Sequence, residues 1–295
     1  MSGEQMTRFN SGAEITLSYP LIGAGRFRVH IFRQRGTLGL SVRVHPGRPR
    51  SFRELALPSA WQPFVAQQGG LLVVASGAGH GRTTTLGAMV QLLNETAPAR
   101  RIVTVGQTIE LAHVDATGWT AQRGLGVDAP DWSAAINGAI SQGADVLALD
   151  DPEGCRAWEL AVDAAERGML VIATVGARDA GTALGRIVGS VAAVDEPRFR
   201  RRLAAALLGV TEQSQVPSTD GSRSVVAWGL LTMEPRAYAI LRDGHDPAGL
   251  YDIMHSRALG MSTADQALSA LVASGAIRSD IALAYATRPQ ALQAH

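Results

Sequence analysis

Val73 to Thr85 reads VVASGAGHGRTTT: an apolar run, a glycine-rich turn and a hydroxyl-rich helix start. Those residue types in that order suit a phosphate-binding loop. Glycines let backbone N–H groups converge on an anion, a cation follows, and a hydroxyl faces Mg²⁺. The full pattern, G-x-x-x-x-G-K-[ST], is met only at Gly81 and Thr83; Ser76 stands at its first glycine and Arg82 at its lysine. Gly77, Gly79, Gly81, Arg82, Thr83 and Thr84 are therefore the candidate phosphate-binding residues. A Cβ at Ser76 is costly if the loop needs positive φ there. Arginine brings a planar fork on a longer stem where lysine brings a compact charge. A plain strand-to-helix turn is the alternative reading.

Downstream, VLALDD ends an apolar run in two carboxylates, Asp150 and Asp151. Acids at the end of a buried strand can hold Mg²⁺ through water, which makes Thr83, Asp150 and Asp151 the candidate metal residues. Successive strand side chains point to opposite faces, so one acid of the pair is expected to face the loop. The alternative has both capping the next turn. His80, inside the loop, is within reach of a phosphate there, but is expected to face solvent. Cys155 is the one cysteine, which excludes an internal disulfide, and the seven histidines show no metal-ligand spacing.

Elements must hold these residues in place. ITLSYP, RFRVHIFRQ and LGLSVRVH predict an antiparallel sheet before residue 55, followed by a proline-rich linker. Strands and helices then alternate: LLVVAS, a helix from Thr84 to Asn94, RIVTV, a helix from Trp132 to Gln142, DVLALD, a helix from Cys155 to Glu166, and MLVIATV. Continuous apolar strands between amphipathic helices predict a parallel sheet covered on both faces. The glycine-rich turn then falls where ligands bind in open α/β folds. From Pro197 onward the chain reads as mostly helical, interrupted by SVVAWGLLTM.

A chain of 295 residues, 46% hydrophobic and 18% charged, has enough apolar surface for a core. Its net charge of +1 gives no bias toward nucleic acid or an acidic membrane. No apolar run approaches the ~20 residues of a bilayer-spanning helix, and MSGEQMTRFNSGAE lacks a signal-peptide core. A cytoplasmic protein is expected. All 27 basic residues are arginines, so a chain-wide exchange of lysine for arginine accounts for Arg82 without a targeted change.

From Arg26 to about Pro289 the chain resembles the secretion ATPases that drive type IV pili and type II secretion, and among them the PilT-type retraction motors. SGAGHGRTTTLGAMVQLLNET is similar to that family's Walker A segment, IVTVGQTIE to its Asp box and ADVLALDDPE to its Walker B motif. AAERGMLVIATVGA is similar to its His box. RFRVHIFRQRGT and ALGMSTADQALSALVASGAI are similar to its N-terminal strands and C-terminal helices. Six segments in the right order make the resemblance more specific than any one motif. It implies an α/β fold, a P-loop RecA-like ATPase domain over residues 56–295 with a helical C-terminal part. Residues 1–55 then form an N-terminal PAS-like antiparallel sheet, shortened relative to the family, with its linker. It also implies ATP, Mg²⁺ and a hexameric ring.

Carried over by position, the family's I-E-D-P-I-E box becomes Val105 to Glu110, and only its last acid survives. The resemblance makes Glu110 the group that polarises the attacking water; a solvated turn acid is the alternative. Asp150 and Asp151 stand where the family has glycine and glutamate, and both His-box histidines are replaced, by Met169 and Gly176. Asn137, Ser141 and Val127 occupy positions of family arginines, while Arg123 remains. Glu110, Asp151 and Arg123 are thus the candidate catalytic residues. Phosphoryl transfer depends on positioning and electrostatics, so these losses predict weak ATP and Mg²⁺ binding with little hydrolysis. Three readings stay open: a degenerate accessory subunit, an active retraction motor, and a scaffold without a nucleotide role. The implied partners are copies of the chain or an intact PilT-like motor in one ring, and a pilus platform protein at the inner membrane. No nucleic acid is expected.

Overall fold

The computed structural model describes residues 1–21, 25–45, 47–96 and 98–292. Helix α1 (Gly3–Asn10) begins with a capping box, in which the Ser2 hydroxyl accepts from the Gln5 N–H and the Gln5 side chain accepts from the Ser2 N–H. Strands β1 (Ile15–Leu21), β2 (Gly25–Gln34) and β3 (Thr37–His45) form an antiparallel sheet in that order. Their alternation sorts side chains by face. Tyr19, Phe27 and Val44 stand opposite one another on one face, as do Leu17, Val29 and Val42. Ser18, Arg28 and Arg43 share the other. The polar face meets the rest of the chain: the Ser18 hydroxyl donates to the Ile109 carbonyl at 2.8 Å. The apolar face is largely uncovered, with Leu38, Leu40, Val42 and Val44 each more than half exposed.

Residues 47–69 cross to the second sheet through the short helix α2 (Gln62–Val65). Buried Trp61 sets its ring edge-to-face on Trp228 at 5.0 Å. Seven strands follow among the described residues: β4 (Gly70–Ser76), β5 (Arg101–Gly106), β6 (Trp119–Gly124), β7 (Val146–Asp150), β8 (Leu170–Gly176), β9 (Leu207–Pro217) and β10 (Ser224–Thr232). Their order is β10-β9-β4-β8-β7-β5-β6, parallel except for β10 at the edge. The expected parallel sheet is there, widened by β6 and β9, which were not foreseen. WTAQRG lacks an apolar pattern because β6 is an edge strand, and TEQSQ hides β9 because Thr211, Glu212 and Gln213 are buried with partners.

The helices are α3 (Arg82–Glu95), α4 (Trp132–Ser141), α5 (Cys155–Glu166), α6 (Ala180–Val188), α7 (Glu196–Ala206), α8 (Pro235–Asp243) and α9 (Ala248–His255). The C-terminal part adds α10 (Ala264–Ala273), α11 (Ser279–Tyr285) and α12 (Pro289–Leu292). Strand β4 shows why both sheet faces are covered. Leu71, Val73 and Ala75 join the core under α4 to α9, while Leu72 and Val74 join the core under α3 and Trp61. Helices α10 and α11 pack on β9 and β10 through a third cluster that includes Val216, Ala227 and Leu268. The arginine run Arg198–Arg202 lies on α7, where Arg200 pairs with Glu196 and Arg202 with Glu166.

Candidate functional site

The carboxyl ends of parallel strands gather ligand-binding loops on one edge of a sheet, and here they gather the candidate residues. The loop leaves β4 at Ser76, which is buried and does not adopt positive φ, so its Cβ brings no backbone strain. The left-handed turns fall instead on Gly79 (φ +78°) and Gly81 (φ +85°), where a side chain would be strained. Gly81 caps α3, and no side chain closes that helix end. Among the described residues, the N–H groups of Gly79, Gly81, Arg82, Thr83 and Thr84 meet no acceptor. A cluster of open donors at a helix N-terminus fits a phosphate group.

Strand β9 holds this loop. The Gln213 amide donates to the His80 carbonyl, and its oxygen accepts from the Thr85 hydroxyl at 2.8 Å. His80 does not face solvent freely as expected. Its Nδ1 accepts from the Gln215 N–H at 2.9 Å, and burial, with Arg178 nearby, lowers its pKa. Gln213 carries no motif signature; its buried place in the TEQSQ run of β9 assigns its role.

Both acids at the end of β7 face the loop, against the expectation that one would turn away. Asp150 accepts from the Thr83 hydroxyl and from the Thr174 hydroxyl, each at 2.9 Å. Its pKa is raised by burial and, to a smaller extent, by the charges of Glu110 and Asp151, against the lowering effect of the two hydroxyls. Asp151 leaves the strand at φ +59°, donating its N–H to Thr174 Oγ1 at 2.8 Å. That left-handed turn breaks the strand alternation and swings the Asp151 carboxylate to 3.0 Å from the Arg82 guanidinium. Thr83 and Asp150, two of the three metal candidates, are thus in direct contact, and Arg82 is paired with the third, Asp151.

Glu110 is not a solvated turn acid. Its carboxylate, 10% exposed, lies 3.1 Å from Arg28 and 3.4 Å from His45 Nδ1, both on the polar face of the N-terminal sheet. Burial lowers the His45 pKa while Glu110 acts to raise it. Arg123, at the end of β6, donates to the Ala135 carbonyl at 3.2 Å and lies across Gly138, where a Cβ would sit 2.5 Å from its nitrogen. Thr83, Glu110, Arg123 and Asp150 line one small cavity of about 50 Å³, room for water and far less than a nucleotide occupies. The candidates therefore converge, but Glu110 and Arg123 are each engaged within the chain. Arg28, His45, Thr174 and Gln213 were not visible as site residues in the sequence.

A family model described as type II/IV secretion system protein matches residues 55–242. The twitching motility protein of Neisseria gonorrhoeae is 29% identical over 282 residues, covering 96% of this chain and 75% of that protein. The type IV pilus retraction ATPase PilT of Pseudomonas aeruginosa is 28% identical over 290 residues, covering 98% of this chain and 84% of that one. The crystal structure of the pilus retraction motor PilT with bound ADP superimposes with a TM-score of 0.88 at 25% identity, covering 100% of this chain and 84% of that one. On its sequence, its fold and the convergence of its loop and acids, the chain belongs to the type II/IV secretion system protein family, among the PilT-like type IV pilus ATPases.

Proposed function

We propose that this chain is a nucleotide-binding accessory subunit of a type IV pilus or type II secretion motor, with hydrolysis weak or absent. One observation carries the reading: an open nest of loop N–H groups stands beside catalytic-position acids already paired within the chain. Asp151 holds Arg82, and Glu110 holds Arg28 and His45. The amides of Gly79, Gly81, Arg82, Thr83 and Thr84, with the Arg82 side chain, would hold the phosphates of ATP, and Thr83 with Asp150 would hold Mg²⁺. The bound nucleotide supplies the phosphoanhydride; the chain supplies its binding and orientation. To polarise water, Glu110 must leave the Arg28 guanidinium and the His45 imidazole, and Asp151 must leave the Arg82 guanidinium.

Residues 1–55 act as a PAS-like assembly module in this reading, and 56–295 as the RecA-like nucleotide domain. The uncovered apolar face of β1–β3 supports assembly, alone or with an intact PilT-like motor, because large exposed apolar patches mark interaction sites. The place of action is the cytoplasmic side of the inner membrane beside a pilus platform protein. Among the described residues no helix is long and apolar enough to cross a membrane. An active motor is the second reading, favoured by the Thr83–Asp150 contact that keeps the Mg²⁺ residues together.

Thermal unfolding with and without Mg-ATP, run beside steady-state phosphate release, tests the proposal. A ligand stabilises by RT ln(1 + [L]/Kd) only if it binds the native state. The expected result is a rise in Tm with phosphate release at background. No shift at millimolar Mg-ATP refutes nucleotide binding and leaves the scaffold reading. Sustained turnover establishes the active motor instead.

A further inference from the structure

Gly176 ends β8 beside the loop, at a position where φ is not positive. Its backbone conformation therefore accepts any L-residue, and a glycine here answers to space alone. A Cβ built at Gly176 would lie 2.8 Å from the nearer Arg82 guanidinium nitrogen and 3.6 Å from its central carbon. That same nitrogen is the one 3.0 Å from Asp151. The Arg82 side chain is mostly buried, 18% exposed, and an added Cβ at Gly176 would be met by a shift of its flexible far end, the same end that holds Asp151. The hollow, the fork and the carboxylate form one arrangement.

We propose that Gly176 is a positioning residue for Arg82: its missing side chain makes the hollow that lets an arginine lie over the end of β8 and reach Asp151. A lysine has no planar fork to fill that space and presents its charge at one point. Arg82 and Gly176 are then a matched pair in this chain. The exchange at position 82, which composition alone assigns to a chain-wide trend, is accommodated by a second exchange across the site. The pair's effect on nucleotide affinity rests on the reading of the loop as a phosphate site; the pairing itself does not.

A double-mutant cycle tests it on the full chain: wild type, Gly176→Ala, Arg82→Lys, and both together. The first readout is Tm without nucleotide, which is independent of any activity. The second is affinity for a fluorescent ADP analogue. Gly176→Ala is expected to lower Tm when Arg82 is present and to leave it nearly unchanged in the Arg82→Lys chain. Where ADP binds, the cycle is expected to show a coupling of about tenfold in Kd, in the range found for residues in contact. Rescue by Arg82→Lys is what a merely structural glycine would not show. Arg186, whose guanidinium also borders Gly176 at 3.3 Å from the same Cβ position, is the control. Arg186→Ala is expected to rescue Gly176→Ala less than Arg82→Lys does. Additive effects on Tm, or equal rescue by Arg186→Ala, overturn the pairing. Coupling in Tm with no ADP binding by any variant upholds the pairing and refutes the nucleotide reading alone.

Discussion

Glu212 of β9 is a buried carboxylate that pairs with no cation among the described residues. Its two oxygens accept the first N–H of α6 (Ala180, 3.0 Å) and the first N–H of α10 (Ala264, 2.7 Å). It therefore joins the ATPase sheet to the C-terminal helices, next to the Gln213 that holds the loop. Gly229 faces it with no room for a Cβ, which would lie 2.5 Å from Glu212 Cγ. Burial raises its pKa from 4.5 to about 7, and the two N–H groups only partly counter that. In the unfolded chain the group ionises near 4.5; in the native chain it holds its proton to about 7. The native state thus binds the extra proton between these values, and stability falls as pH rises through that window. A shift of this size corresponds to about 3 kcal/mol. Glu212→Gln removes the titration and leaves one helix N–H facing an amide NH₂, at a cost of roughly 1–3 kcal/mol. Urea denaturation of both proteins, from about pH 5 to about pH 8, reads the difference, because groups not coupled to Glu212 titrate equally in each. Wild type is expected to be the more stable at the acid end and to lose that advantage toward the alkaline end. A wild-type-minus-variant difference that stays constant with pH, or grows in the alkaline direction, refutes the assignment.

Arg82→Lys is expected to tighten Mg-ATP binding in calorimetry while phosphate release stays near background, because Glu110 remains on Arg28 and His45 and groups acting as a unit are not additive. A large rise in kcat from that one change refutes the degenerate reading. Gln213→Ala strips the Thr85 hydroxyl and His80 carbonyl of their partner. Unmade bonds of that kind cost about 1–3 kcal/mol each, so Tm and ADP affinity should both fall; unchanged affinity would mean that the loop holds its shape without β9. On the N-terminal sheet, Leu40→Asp with Val42→Asp is expected to leave Tm nearly unchanged and to shift mass photometry toward monomer. Both residues are exposed on the apolar face, and a native protein that is a strict monomer with and without an intact homologue refutes assembly.

Much of this protein was legible in its sequence because its signals are local. A short, continuous apolar run with β-branched residues such as LLVVAS fits a strand buried on both faces, and the period of CRAWELAVDAAE fits a helix with one buried side. The three N-terminal strands fell within a few residues of their expected places because alternation and glycine turns bound them. Glycine positions in the loop were equally readable, since Gly79 and Gly81 adopt φ values that other residues resist. Polar and edge strands were not legible. The residues of β9 look like loop or helix until Gln213 and Glu212 find partners more than thirty residues away in the chain. The state of the site was decided only in three dimensions. A positive φ at Asp151 turns its carboxylate onto Arg82, the N-terminal sheet brings Arg28 and His45 to Glu110, and an absent side chain at Gly176 makes room for a guanidinium. Residue type sets which charges are present; whether an acid is free to act depends on which distant cation the fold places within reach of it.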